Sequence, residues 1–168
     1  MKILKNKNSK KRNGKTDFPC NFKGRGRNLF QIKRKVGKIE IVLGAKKVGE
    51  DYLLTLTGGE EHVGAVAVGL FDEKNQRASS SVMTMPGHRE EYLALDGARQ
   101  VSRATKKTSV FVVGIHQDDI SPEEIKNIVL AAGEMVENFI SFYEKGDELE
   151  EQDKDLNQLH EMNNRSKA

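Results

Sequence analysis

Residues Met85 to His116 read MPGHREEYLALDGARQVSRATKKTSVFVVGIH, and within this stretch the apolar period changes twice. Pro86-Gly87 breaks an extended segment. From Arg89 to about Ala104, Ala94, Gly97, Ala98 and Val101 fall at the i, i+3, i+4, i+7 spacing of one helix face, and their small size lets such a helix sit close to a sheet. Ser109 to Ile115 is then a continuous apolar run, as suits a strand covered on both faces or lying centrally in a sheet. A strand, a helix and a strand in that order predict a right-handed parallel crossover.

Upstream the period is two. Ile39, Ile41 and Leu43 share one face, a polar hairpin from Lys46 to Asp51 follows, and Leu53 to Thr57 returns. A third run, Val63 to Phe71, has a narrow surface because it contains Gly64, Ala65, Ala67 and Gly69, and a turn at Asp72 to Gln76 leads into Ser79 to Met85. Four successive strands predict an antiparallel meander. Downstream, Ser121, Pro122 and Glu124 form the N-cap, first position and capping box of a second helix. Its expected core face is Ile125, Ile128, Val129, Ala132, Val136, Phe139 and Tyr143. The predicted fold is α+β and two-layered: a mixed, mostly antiparallel sheet of about five strands, two main helices and disordered termini.

The chain has 168 residues, which suffices for one domain with tails. Its net charge of +3 conceals a strong asymmetry. Residues 1–37 carry 13 Lys/Arg and one acid, residues 38–143 carry 11 basic and 16 acidic groups, and residues 144–168 carry 4 and 8. We therefore expect a basic disordered arm and lead-in over 1–37, a domain over 38–143, and an acidic tail over 144–168 that is a helical extension or disordered. The arm would give only weak, non-specific, salt-sensitive attraction to nucleic acid. No run approaches the ~18 apolar residues of a membrane helix, and no apolar segment follows the N-terminal lysines. A single cysteine, Cys20, excludes an internal disulfide and fits a cytoplasmic protein.

Three of the four histidines stand at strand ends beside glycines or carboxylates: Gly58-Gly59-Glu60-Glu61-His62, Pro86-Gly87-His88-Arg89-Glu90 and Gly114-Ile115-His116-Gln117-Asp118. Loops on a rigid scaffold carry most ligand contacts. Imidazoles at His62, His88 and His116 would suit a divalent metal ion with one position left open. The same loops suit an anion, since Gly87-His88-Arg89 opens a helix and Arg89 offers a bidentate donor, while Gly58, Gly59 and Gly64 permit close backbone approach. Each is equally an ordinary turn. There is no nucleotide-binding glycine fingerprint, no nucleophile elbow and no outstanding carboxylate pair.

These same blocks, Thr57 to Ala67, Val82 to Glu91 and Val112 to Ile125, resemble the LpdD-like family, the small D-subunit proteins associated with gallate decarboxylase. The resemblance spans about residues 38–143. It implies a non-catalytic accessory protein that binds prenylated FMN and acts as its chaperone beside a UbiX-like flavin prenyltransferase and a UbiD-like decarboxylase. It implies cofactor contacts from the motif blocks, at His62, His88, Arg89, His116, Gly58, Gly59 and Gly87. No catalytic residue is expected. A divalent ion bridging the histidines to the flavin phosphate, and a homodimer closing over a sheet covered on one side only, extend this expectation. The competing expectation is a metal-dependent enzyme with a three-histidine site and Glu60 or Glu90 as general base.

Overall fold

The computed structural model describes residues 29–165, with side chains from 30 to 146. The arm up to residue 28 lies outside the described residues. Strands β1 (Leu29–Val36), β2 (Ile39–Val48) and β3 (Asp51–Gly59) form consecutive antiparallel hairpins. Both turns are two residues long and begin with a glycine at positive φ, Gly37 at 58° and Gly49 at 63°, the conformation tight hairpins require. β1 begins the sheet inside what the sequence marks as lead-in. Its Phe30, Ile32, Arg34 and Val36 alternate with Gln31, Lys33 and Lys35, so a period-2 pattern is present beneath the basic charge.

β4 (Ala65–Asp72) and β5 (Arg77–Thr84) make the next hairpin, α1 (Glu91–Thr105) follows, then β6 (Ser109–His116) and the long α2 (Pro122–Arg165). The sheet order is β1-β2-β3-β6-β4-β5. The expected four-strand meander is therefore broken: β3 and β4 are not neighbours, because β6 lies between them, parallel to β3 and antiparallel to β4. The physical cause is the apolar run of β6, whose Phe111 and Val113 are buried on one face while Val110 and Val112 are half-buried on the other. A strand of this kind is stabilised most in the sheet's centre. Because β5 and β6 both run antiparallel to β4, they point the same way, and α1 makes the expected parallel crossover.

Both helices cover one face. The register aligns Phe30, Ala45, Leu54 and Phe111 across four strands. Phe30 meets Phe139 of α2 edge-to-face at 5.4 Å, and the Phe111 ring occupies the space a side chain at Gly97 of α1 would need. The buried face of α1 is Ala94, Gly97, Ala98, Val101, Ser102 and Thr105, which includes all four expected positions. The buried Ser109 hydroxyl donates to the Ala98 carbonyl at 2.7 Å and ties the last strand to this helix. In α2, Ile128, Ala132, Val136 and Phe139 are buried as expected, with Met135 besides. Ile125 departs from the expected core face and is exposed, since the first turn of α2 is held by its capping box rather than by the sheet.

Among the described residues, no helix covers the opposite face. Leu53, Val66, Val68, Leu70, Val110, Val112 and Met83 alternate with the core residues, and Val68, Leu70 and Met83 are 38%, 52% and 69% exposed.

Candidate functional site

The topology brings three loops together. β3 and β6 end, β4 begins and β5 ends at the same edge of the sheet, so the connections 60–64, 85–90 and 117–121 share one corner. The first of these is stitched down by backbone bonds: Glu60 N–H donates to the His116 carbonyl, Gly64 N–H to Val113 and Met85 N–H to Gly64. The His62 carbonyl lies where a side chain at Gly114 would stand, and a side chain at Gly64 would run into the Glu90 carboxyl. Since Gly114 points to the uncovered face, the 60–64 loop folds onto that face.

The site within this corner is His62, His88 and Glu90, whose ligand atoms all lie within 4.8 Å of one another. His62 Nδ1 donates to the Glu60 carbonyl at 2.9 Å, which fixes its tautomer and leaves Nε2 as the lone-pair atom. That Nε2 faces His88 Nδ1 at 3.1 Å, so the His88 N–H donates to it when the two rings are neutral. Glu90 stands 3.7 Å from His62 Nε2 and 3.6 Å from His88 Nδ1. Glu90 is itself oriented, because Oε2 accepts the Arg89 backbone N–H at 2.9 Å. An imidazole anchored through one nitrogen and a carboxylate held by a backbone amide are the supports metal ligands usually have.

The expected site residues separate into groups. His62 and His88 come together, and Glu90 stands where a third histidine was expected. His116 is near, with ring centroids 6.1 Å apart from His62, yet it is exposed and its Nε2 faces Asp118 at 3.3 Å. Arg89 is exposed beside the cluster, and its guanidinium has no partner among the described residues. Gly87, at φ 86°, has open space around it. Gly58 and Gly59 serve packing: a side chain at Gly58 would meet Ile41, and one at Gly59 the His116 carbonyl. Gly114 admits the 60–64 loop onto β6, and Gly64 admits the Glu90 carboxyl beside that loop. In sequence Gly64 is marked as a point of close approach, while Gly114 looks like an ordinary strand glycine.

The electrostatics of the corner favour a cation. Glu90 occupies the N-cap of α1 without a side-chain capping bond, and Glu91 is in the first turn. Two carboxylates at the helix start repel a bare phosphate that the free N–H groups would otherwise attract. Two imidazole nitrogens and one carboxylate oxygen make a mixed donor set suited to zinc, manganese or iron(II) rather than to an all-oxygen calcium site.

The chain matches a family model described as the prenylated flavin chaperone LpdD-like domain over residues 35–144. The chain belongs to the LpdD-like family of prenylated flavin chaperones. The match includes all three histidine loops and both covering helices up to the end of the described core. As an LpdD-like protein the chain is a non-catalytic accessory protein with a chaperone role towards a prenylated flavin. No curated protein matches it. Among solved structures, it is similar to one from a crystal structure of a chaperone complex for yeast 20S proteasome assembly. That likeness is 8% identical, covers 67% of this chain and 96% of the other, and has a TM-score of 0.43, too loose to bear on function. Among the described residues, no helix is long and apolar enough to cross a membrane.

Proposed function

We propose that this LpdD-like chain binds prenylated FMN at the His62–His88–Glu90 corner, with a divalent ion between these ligands and the flavin phosphate, and delivers it to a UbiD-like decarboxylase. The observation that carries the proposal is the position of the cluster at the rim of an uncovered apolar face. Prenylated FMN has a phosphate at one end and an apolar ring at the other, and both kinds of surface lie side by side here. Val66, Val112 and Met83 offer the ring an apolar platform next to the cluster. Arg89 supplies a free guanidinium for the phosphate, and the ion offsets the repulsion from Glu90 and Glu91.

When bound, the cofactor supplies the reactive flavin that the decarboxylase uses. The chain's own residues hold and shield it. In its neutral form His62 presents the Nε2 lone pair, because Nδ1–H is bonded to the Glu60 carbonyl, and His88 must shift its proton from Nδ1 to the other ring nitrogen to become a ligand. A second copy of the chain packing on the uncovered face would exclude water from the ring, so we propose a homodimer with the cofactor at its interface.

The test is an anaerobic absorbance and fluorescence titration of prenylated FMN into protein stripped of metal and into protein reloaded with zinc or manganese. Retention only by the reloaded protein, lost in His88→Ala, is expected. Metal-independent retention would remove the bridging ion, and no retention by a folded protein would remove the flavin.

A further inference from the structure

The opposite end of the same hairpin carries a second feature. Where β5 begins and α1 ends, a cleft of about 740 Å³ is lined by Arg77, Arg99, Arg103, Gln76, Gln100 and Ser79, with Ala78 its one apolar side chain. Arg77 and Thr84 bound β5, so the cleft stands about 23 Å along the strand from the histidine corner at ~3.3 Å per residue. The two features cannot share one small ligand.

The charge in this cleft is not balanced. Asp96 is consumed by Arg99 at 2.6 Å and by the Gln100 amide at 2.6 Å. Asp72, opposite Arg77 across the hairpin, accepts instead from the Lys74 and Asn75 backbone N–H groups and the Asn75 side chain. These bonds, chiefly those from Asn75, hold the Asp72 carboxyl below its ordinary range, so it stays committed to the turn. Arg77 and Arg103 are left with no carboxylate partner among the described residues. Arg103 in the last turn complements the α1 dipole. That does not account for Arg77, which belongs to another element and faces the same space.

We propose that this cleft is a second anion site, taking a compact phosphate-bearing molecule of at least two negative charges, such as a diphosphate. Two unpaired guanidiniums match a dianion in charge, and their planar forks match phosphate oxygens in geometry. Ser79 adds a hydroxyl, and Gln76 and Gln100, each with one amide N–H bonded to Glu73 and Asp96, keep a second N–H to donate. No aromatic or large apolar side chain lines the cleft, so there is nothing on which a flavin ring or a base would stack.

Calorimetric titration of the full chain with pyrophosphate tests this, in buffer containing a chelator so that no metal-bridged phosphate can bind at the histidine corner. One-to-one binding is expected. It should weaken at least about tenfold in the double variant Arg77→Gln/Arg103→Gln, weaken with rising salt, and be unchanged in His88→Ala. These arginines are exposed, so the variants keep the fold, which circular dichroism verifies. Absent binding, or binding undiminished in the double variant, overturns the site. A glutamate-rich peptide that binds more tightly than pyrophosphate and is lost in the same variant would overturn the ligand class in favour of an acidic protein segment. Failure here leaves the flavin titration unaffected, because that readout depends on His88 and metal.

Discussion

The two faces of the sheet are made by the same strands and do opposite things. On the covered face, Ile41, Leu43, Leu54, Leu56, Phe111 and Val113 are fully or almost fully buried beneath α1 and α2. On the other, Val68 and Leu70 stand in solvent one residue away from buried neighbours, and Met83 stands there between half-buried Val82 and Thr84. Alternation along a strand thus puts one set of residues in the core and leaves the next on the surface, where the proposed recognition takes place. On the covered face the Phe111 ring packs against Gly97, and the space left between α1 and α2 there is a small cavity of about 170 Å³. The uncovered face is open and bordered by His62, His88 and Glu90.

Substitutions on the two faces should therefore separate stability from binding. Phe111→Ala should have the largest effect, a loss of about 3–5 kcal/mol in urea unfolding, because it empties the space shared with Gly97 and α1. If that variant unfolds like the parent, the core is not where the register puts it. Glu90→Gln should weaken metal affinity by roughly 10- to 100-fold, as loss of one ligand charge does, with an unfolding midpoint close to wild type in chelator. An equal loss of stability in the metal-free protein would make Glu90 a structural residue.

Met83→Glu tests the uncovered face from the other side. It places a charge among Val66, Val68 and Val112 while leaving the covered core untouched, so sedimentation should show a dimer weakened at least about tenfold with little change in unfolding. A monomeric parent protein would end the proposal that a second copy covers this face.

The smallest effect concerns α2. The Ser121 backbone N–H, then its hydroxyl and the Gln117 amide, hold the Glu124 carboxyl below its ordinary range. A depressed folded-state pKa means the capping box stabilises fully above the usual glutamate range and is lost as pH falls through the lowered value. Helical circular dichroism should decline slightly on acidification in the parent, and this part of the decline should be missing in Glu124→Gln. An identical acid profile in both would show that the box contributes nothing to the helix start.

Much of this architecture was legible because its signals are local. The capping box at Ser121 and Glu124, the small-residue face of α1 and the central character of Ser109 to Ile115 all depend on neighbours within a few positions. The insertion of β6 between β3 and β4 depends on pairing over more than 50 residues, and four runs of similar period leave that pairing open. β1 was hidden by composition, since its lysines resemble those of the preceding arm although its apolar residues alternate. At the site, the three histidine loops were visible as motifs. Glu90 stood out in the sequence only as an alternative to Glu60 for a general base, and it is the closing of the 60–64 loop over Gly114 and against Glu90 that places it with His62 and His88.

The role proposed for the His62–His88–Glu90 corner is to hold the phosphate end of prenylated FMN through a divalent ion. The most direct measurement is an anaerobic fluorescence titration of prenylated FMN into metal-loaded wild-type protein, metal-stripped wild-type protein and metal-loaded His88→Ala. Saturable one-to-one binding by the first alone is the predicted result. Equal affinity in all three, with the fold intact, would contradict it.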